Sequence, residues 1–163
     1  MSDTNELISF IASMSGEGNL RVEENLGEGF VRLRVSEAER RQAKHDIQHV
    51  EDIVIEMLRN ARDAGATRIY VATFKEEGMR SLLVLDNGCG VPEDMRDRIF
   101  DARVTSKLES MKMDRWGVHG RGMALFSIRQ NVDDVEVVAS GKDLGSSFKV
   151  LVNTDVLNER ADQ

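Results

Sequence analysis

An amphipathic helix is predicted from Glu51 to Gly65, EDIVIEMLRNARDAG, and the rest of the fold must be built against its apolar face. At about 100° per residue, the apolar residues of this segment fall on one side of a helix. They are Ile53, Val54, Met57, Leu58 and Ala61. Glu56, Asn60 and Asp63 border that face on neighbouring turns, so they can converge on one ligand, such as a divalent cation with a water. An ordinary core helix, whose polar residues mark the solvent boundary, would show the same pattern.

The composition indicates one soluble domain that spans residues 1–163. A chain of this length can bury a sufficient core without disulfides, and its single cysteine, Cys89, cannot form an intramolecular one. The formal net charge of -7 argues against a general nucleic-acid coat and against an anionic membrane surface. No stretch approaches the roughly 20 apolar residues that span a bilayer, and the N-terminus lacks the basic region of an export signal. We therefore expect a cytoplasmic protein.

The first 35 residues predict a short helix and then a β-hairpin. The apolar residues at helical spacing after Thr4 are Leu7, Ile8, Ile11 and Met14. In the second hairpin strand, FVRLRV, alternation puts Val31, Leu33 and Val35 on one face. Ser36 to Glu39 has the form of a capping box, so the long helix should begin there, with a possible break between His45 and His49.

Four β-rich runs follow Gly65, which indicates a sheet covered by helices. The runs are RIYVATF, SLLVLD, DVEVVAS and SFKVLV. A further helix is predicted from Met123 to Gln130. The segment from Val91 to Trp116 has mixed charge and little regular apolar period beyond a possible short helix from Glu93 to Phe100, which is typical of a functional lid or a mobile loop. The fold class that we expect is an α+β two-layer sandwich.

Two glycine-rich segments carry further signals for chemistry. Asp86 to Gly90, DNGCG, follows a strand, where a carboxylate can accept a hydrogen bond from an exocyclic amine and glycines let a flat ligand approach closely. The same letters also suit an ordinary turn. Gly117 to Gly122, GVHGRG, opens a helix and brings backbone N–H groups together, a setting for phosphate oxygens. It lacks the lysine of a P-loop and the βαβ context of a dinucleotide-binding motif.

Taken in order, the motifs ExxxNxxDAGAT, DxGxG, TSK and GxxGxG resemble the ATP-binding domain shared by DNA gyrase B, the heat-shock chaperone ATPase, histidine kinases and MutL. This is the GHKL superfamily, with the Bergerat nucleotide fold. The resemblance covers Ser36 to Val152. It implies a mixed, mainly antiparallel sheet with helices on one face and an ATP lid, in which residues 1–35 precede a nucleotide-binding core at residues 36–152.

The resemblance implies ATP and Mg²⁺ as ligands and gives each motif a role. Asn60 would hold Mg²⁺, and Glu56 would position or deprotonate the attacking water, which could also link Glu56 to the metal. Asp86 would bind the adenine amine, with one of two adjacent serines completing the pocket. Lys107 would contact the terminal phosphates as a second catalytic residue. The remaining nucleotide-binding residues implied are Asp63, Gly88, Gly90, Thr105, Ser106, Gly117, His119, Gly120, Arg121, Gly122 and Ser147, or Ser146 in its place.

Three activities stay open from the sequence. Glu56, one turn before Asn60, favours ATP hydrolysis, because a carboxylate there suits activation of water. A histidine-kinase-like domain that phosphorylates a separate protein is the second hypothesis, and an ATP-dependent interaction switch that does not hydrolyse is the third. Relatives with a following transducer domain take a catalytic lysine from it, whereas this sequence ends at Gln163, shortly after the last predicted strand. A protein partner or a homodimer is therefore expected, with turnover that is slow or stimulated by that partner.

Overall fold

The computed structural model describes residues 22–105, 113–114, 117–118 and 123–160. Within these residues the helices are α1 (Glu37–His45), α2 (Val50–Asp63) and α3 (Ala124–Asn131). The strands are β1 (Val22–Gly27), β2 (Phe30–Leu33), β3 (Ile69–Glu76), β4 (Met79–Asp86), β5 (Val104–Thr105), β6 (Met113–Asp114), β7 (Gly117–Val118), β8 (Asp134–Ser140) and β9 (Ser146–Asn153). Two short 3-10 helices, Glu93–Met95 and Arg98–Phe100, lie between β4 and β5. None of the helices that the structure describes is long and apolar enough to cross a membrane. The helix predicted after Thr4 lies outside the described residues.

The four predicted β-rich runs form one sheet in the order β3-β4-β9-β8. Because side chains alternate along a strand, the sheet has two different faces. One face is buried beneath the helices, with core residues Leu82, Val84, Phe148 and Val150 from the sheet and Ile53 and Met57 from α2. On the opposite face Tyr70 and Phe74 are exposed. The predicted α+β two-layer fold is confirmed, and every strand pairing in the described part of the chain is antiparallel.

The predicted hairpin is present and belongs to a second, smaller sheet. Its strands β1 and β2 pair antiparallel, and β5 adds to β2 with Val31 opposite Thr105. Val31 and Leu33 are buried, as the alternation predicts. Val35 lies beyond the end of β2 and packs against a cluster that includes Ala43 of α1. The small sheet thus joins the hairpin to the end of the segment that follows β4.

The long helix expected from Ser36 to Gly65 is two helices, and the break falls between His45 and His49, where the sequence allowed one. The capping box predicted at the start of α1 is confirmed. Ser36 Oγ accepts a hydrogen bond from Glu39 N at 3.2 Å, and Glu39 Oε2 accepts one from Ser36 N at 2.8 Å. These bonds satisfy N–H groups that a helix start leaves without partners.

The start of α2 is stabilised by Asp52. Its Oδ2 accepts hydrogen bonds from Gln48 N and His49 N, both at 3.0 Å. Burial acts to raise the pKa of Asp52, but these two N–H groups and the guanidinium of Arg160 outweigh it, so the pKa lies below its usual value. A separate N-terminus with its own carboxylate explains why α2 does not continue α1.

Residues 91–104 form part of the core, which corrects the prediction of a weakly packed lid over the whole of Val91 to Trp116. Val91, Met95 and Ile99 are buried. The possible short helix predicted from Glu93 to Phe100 is present as two 3-10 helices, which contain Met95 and Ile99. Arg103 is also buried and forms an ion pair with Glu39 of α1. From residue 106 to Trp116, only β6 lies within the described residues.

Candidate functional site

Asp86 ends β4 with its carboxylate held from two sides. Ser146 Oγ donates a hydrogen bond to Asp86 Oδ2 at 2.6 Å, and Gly88 N donates one to Asp86 Oδ1 at 2.8 Å. Asp86 and Ser146 are directly opposite each other on β4 and β9, and Ser146 is buried. An ionised carboxylate has about four acceptor positions, so Asp86 can accept further hydrogen bonds from a ligand.

The strand register distinguishes Ser147 from Ser146, the two serines proposed to complete the adenine pocket. Ser147 lies opposite Leu85, and successive residues of a strand point to opposite faces. Ser147 therefore belongs to the open face of the sheet, and Ser146 is the serine that contacts Asp86.

The loop after Asp86 packs on the C-terminal end of α2. Cys89 N donates to Ala64 O at 2.9 Å. A Cβ added to Gly88 would lie 2.8 Å from both the Cβ and the carbonyl oxygen of Ala64. Gly90 has a φ of +72°, and a Cβ there would lie 1.9 Å from Gly141 O. The structure thus shows both predicted glycines in close contact with the protein's own backbone, while their contact with a nucleotide stays a prediction.

A second loop, residues 140–145, is tied to the first by backbone hydrogen bonds. Gly145 N donates to Gly88 O at 3.1 Å, and Asp143 N donates to Cys89 O at 2.7 Å. No role for these residues was predicted from the sequence. Its glycines, Gly141 and Gly145, were the available signal for a tight approach.

Ser140 connects the two loops through its side chain. Its Oγ accepts a hydrogen bond from Val91 N at 2.7 Å and donates one to Gly145 O at 2.9 Å. Arg96 Nη2 donates to Ser140 O at 2.5 Å. The sequence reading missed Ser140, because nothing local distinguishes it from an ordinary residue at the end of a strand.

Asn87 fixes the loop between α2 and β3. Its Oδ1 accepts hydrogen bonds from Thr67 N and Arg68 N, both at 2.8 Å, and its Nδ2 donates to Thr67 Oγ1 at 2.9 Å. The sequence reading assigned Asn87 only to a turn. The structure makes it the residue that joins the DNGCG segment to the AGAT segment.

The polar row of α2 starts where the DNGCG loop packs. Asn60 O accepts the hydrogen bond from Ala64 N at 2.9 Å, so Asn60 is one turn before the contact with Gly88. Glu56 is one turn further along the helix axis, about 6 Å beyond Asn60. Glu56, Asn60 and Asp63 are all partly buried. The polar side chains of α2 thus extend along the helix from its end near Asp86. This arrangement is expected if one ligand contacts both Asp86 and these side chains.

Two residues of that row have arginine partners. Glu56 Oε1 lies 2.5 Å from Arg59 Nη1, and Asp63 Oδ1 lies 3.3 Å from Arg62 Nη2. The sequence reading missed both pairs. The first matters for chemistry, because it engages one oxygen of the carboxylate proposed to act on water.

The roles of the remaining predicted site residues stay predictions. Thr105 and Gly117 are described only as residues of β5 and β7, where Thr105 pairs with Val31 and Gly117 pairs with Asp114. The predicted residues outside the described part of the chain are Ser106, Lys107, His119, Gly120, Arg121 and Gly122.

Comparison with known families agrees with this geometry. Residues 45–155 match the family described as "Histidine kinase-, DNA gyrase B-, and HSP90-like ATPase". The chain belongs to this ATPase family. The matched region contains α2, the DNGCG loop and the serine pair of β9, so it includes every element of the site described above. The predicted GHKL membership is confirmed.

Several bacterial DNA mismatch repair proteins MutL are similar in sequence to more than half of this chain. The MutL of Lactobacillus helveticus is 31% identical over 106 residues, which is 63% of this chain and 16% of the relative. The MutL of Chlorobium phaeobacteroides is 35% identical over 116 residues, which is 70% of this chain and 18% of the relative. The chain thus spans less than a fifth of the length of these two relatives.

Solved structures of histidine kinases are also similar to the chain. Full-length ShkA in complex with AMPPNP has 19% identity and a TM-score of 0.46, and covers 91% of this chain and 29% of its own. The nucleotide-free catalytic domain of histidine kinase ThkA has 17% identity and a TM-score of 0.43, and covers 91% of both chains.

Proposed function

We propose that this domain binds Mg²⁺-ATP and hydrolyses it slowly, or faster in the presence of a protein partner. The observation that carries the proposal is the fixed carboxylate of Asp86, held by Ser146 Oγ and Gly88 N beside the end of α2. Asn60 and Glu56 lie on successive turns of α2, starting near Asp86. The family that the chain matches is described as ATPases.

Asp86 would select adenine over guanine. Ser146 and Gly88 use two of its acceptor positions, which leaves capacity for the exocyclic amine of adenine. Guanine has a carbonyl oxygen at the corresponding ring position. Two acceptors would then face each other without a hydrogen between them, and that desolvated contact disfavours GTP.

Asn60 would supply the protein ligand for Mg²⁺. Its amide oxygen suits this ion, which is usually held by one or two protein groups together with substrate phosphates and waters. Among the described residues no group of three or more His, Cys, Asp or Glu could hold a metal on its own. We expect the ion to bind together with the nucleotide and to neutralise phosphate charge.

Glu56 would accept a proton from the attacking water. A carboxylate one turn from the metal ligand can address water near the terminal phosphate without holding the nucleotide. Its ion pair with Arg59 occupies Oε1, so that oxygen is not available to the water, which supports slow turnover in the isolated chain.

Lys107 and the glycine-rich segment complete the proposal by resemblance to the family. Lys107 would contact the terminal phosphate, and the N–H groups of Gly117, Gly120 and Gly122 would bind phosphate oxygens. Thr105, Ser106, His119 and Arg121 would lie beside them. Their proposed roles follow from the order of the motifs in the sequence.

The ion pair between Glu56 and Arg59 also favours a second candidate function. Hydrolysis would require a partner to displace Arg59 from Glu56. Without that displacement, the domain would bind ATP, change its interactions with another protein, and release ATP unchanged. Single-turnover hydrolysis with and without a candidate partner separates the two functions. Labelled phosphate on the partner would instead indicate the protein-kinase activity.

Calorimetric titration with ATP and GTP, with Mg²⁺ or with EDTA, tests binding. We expect ATP to bind in the micromolar range only with Mg²⁺, and GTP to bind at least about tenfold more weakly. Asp86→Asn should lose ATP binding, because it places an amide donor where Ser146 and Gly88 already donate. Equal affinity for the two nucleotides, or full affinity in Asp86→Asn, would refute the adenine assignment.

A second experiment tests the role of Glu56 in hydrolysis. Glu56→Ala should bind Mg²⁺-ATP with wild-type affinity and release no phosphate, whereas Asn60→Ala should lose the Mg²⁺-dependent part of binding. Phosphate release at the wild-type rate from Glu56→Ala would remove Glu56 from the mechanism.

A further inference from the structure

We propose that this chain forms a two-fold symmetric dimer in which β3 of one copy pairs antiparallel with β3 of a second copy. The two four-stranded sheets would then make one continuous sheet of eight strands. The proposal rests on β3 alone and is independent of the proposed nucleotide site.

Strand β3 is an exposed edge of the main sheet. It stands first in the order β3-β4-β9-β8 and, within the described residues, pairs only with β4. All eight of its residues pair with β4 in continuous register. Tyr70 is 64% exposed, Phe74 62% and Val71 43%. A long, regular and apolar edge of this kind presents unpaired backbone groups that readily bind another strand.

The other edge, β8, carries the features that block such pairing. Its register with β9 shifts between Val137 and Ala139, and Asp134 and Glu136 place negative charge along it. Bulges and charges are common protections of an edge strand. Strand β3 contains no proline and no shift, and the ammonium of its one lysine, Lys75, is bound to Glu159 at 2.9 Å.

The ladder with β4 determines which backbone groups of β3 face outward. Asn87 N donates to Arg68 O at 3.3 Å, and hydrogen-bonded pairs recur at every second residue of an antiparallel ladder. The even-numbered residues of β3 therefore direct their N–H and C=O groups to β4. The odd-numbered residues then direct theirs away from the sheet. They are Ile69, Val71, Thr73 and Lys75.

A two-fold axis at Ala72 satisfies these groups and matches the side chains. In this register Val71 bonds with Thr73 of the second copy, and Ile69 bonds with Lys75 of the second copy. On the open face, Tyr70 lies opposite Phe74 of the second copy, and Ala72 lies opposite itself. Arg68 lies opposite Glu76 at both ends. Aromatic and opposite-charge pairs are the favourable cross-strand pairs, so the strand is complementary to itself, which argues for a second copy of this chain as the occupant.

Sedimentation equilibrium of the full chain without nucleotide tests the proposal. We expect a monomer–dimer equilibrium for the wild type. Arg68→Glu and Glu76→Arg should each raise the dissociation constant at least about tenfold, because each creates two facing pairs of like charge. The double variant, Arg68→Glu with Glu76→Arg, exchanges the partners and should restore dimerisation.

Two controls separate the interface from general effects of charge and folding. Glu136→Arg makes the same charge change on the β8 edge and should leave the dimer intact. Thr73→Pro removes an outward N–H without touching the ladder to β4, and should give a folded monomer.

Three results would overturn the proposal. The first is a wild type that stays monomeric up to about 100 µM. The second is a double charge variant that dimerises no better than either single variant. The third is a monomer in which hydrogen exchange shows the amides of Val71 and Thr73 to be protected, because another segment of the chain would then cover β3.

Discussion

At the scale of single residues, the orientation of Asp86 depends on Ser146. The hydroxyl donates to Oδ2 at 2.6 Å, while Gly88 N holds only the other oxygen. Without Ser146 the carboxylate could rotate about its χ2 bond, which has a broad energy profile. A hydrogen bond to a charged group contributes about 1.5–3 kcal/mol.

Ser146→Ala is therefore expected to weaken ATP binding by roughly tenfold. Ser147→Ala is the matched control, because Ser147 lies on the opposite face of the same strand. It should bind ATP like the wild type. Calorimetric titration of both variants measures the difference, and a larger loss in Ser147→Ala would contradict the assignment of Ser146.

Arg59→Gln is expected to speed ATP hydrolysis by roughly three- to tenfold while leaving ATP affinity unchanged. The change frees Glu56 Oε1 from its ion pair, and lowering the activation free energy by about 1.4 kcal/mol raises the rate about tenfold. Arg62→Gln, next to Asp63, removes the same charge and serves as control. Single-turnover phosphate release is the measurement. A slower rate in Arg59→Gln would mean that Arg59 positions Glu56 productively.

The sequence was informative about residues whose roles depend on near neighbours. Glu56 and Asn60 are one turn apart on one helix, and Gly88 and Gly90 follow Asp86 directly, so local spacing predicted their proximity. The choice between Ser146 and Ser147 was different. It depends on how β9 pairs with β4, 60 residues away in sequence, and a slip of one residue exchanges the faces.

At the scale of elements, residues 91–104 show how a segment with weak sequence periodicity can still be core. Met95 is fully buried although it ends a 3-10 helix of three residues. Phe100, in the second 3-10 helix, meets Phe148 of β9 edge-to-face at a centroid distance of 6.3 Å. Short helices of this kind leave too few turns for a strong helical period, so the sequence indicated only a possible helix from Glu93 to Phe100.

Met95→Ala is expected to lower the free energy of unfolding by about 2–4 kcal/mol, because truncation of a buried side chain leaves a cavity. Val138→Ala removes an exposed side chain on β8 and should change it by less than about 0.5 kcal/mol. Urea unfolding followed by circular dichroism compares them. Equal stability of the two variants would show that residues 91–104 do not pack in solution as described.

Elements with a strong period were predictable, and their ends were less so. The four runs of the main sheet and α2 follow from alternation and from one apolar stripe. The break before α2 is decided by Asp52 and its two N–H partners, which the sequence indicated only as a possibility.

At the scale of the whole molecule, residues 154–160 connect the sheet to α2. Glu159 binds Lys75 at 2.9 Å and Arg80 at 2.6 Å, which ties the segment to β3 and β4. Arg160 Nη2 lies 2.6 Å from Asp52 Oδ1, which ties it to the start of α2. Val50 N also donates to Asn158 O at 3.1 Å.

This connection is expected to weaken in acid. Hydrogen bonds from Arg80 and Lys75 lower the pKa of Glu159 from 4.5 to about 2. A carboxyl whose pKa is lower in the folded state stabilises that state above its unfolded pKa, and the contribution is lost as the pH falls from about 4.5 towards 2. Glu159→Gln should therefore be less stable than the wild type at pH 7, by up to about 1 kcal/mol because the pair is partly exposed.

Urea unfolding of both proteins from pH 7 down to pH 3 measures this difference, which should shrink below about pH 4.5. Glu77→Gln, in the exposed turn between β3 and β4, is the control and should follow the wild type. A difference between Glu159→Gln and the wild type that is constant over this pH range would contradict the proposed ion pairs.

The hydrogen bonds between the loop at residues 88–91 and the loop at residues 140–145 have a thermodynamic consequence for recognition of the base. Segments that are already ordered lose little conformational entropy when a ligand binds. The ordering of this end of the proposed site is completed during folding, so Asp86 would present a rigid template to the base of the proposed nucleotide. Any conformational adjustment to bound ATP is then expected in other parts of the chain.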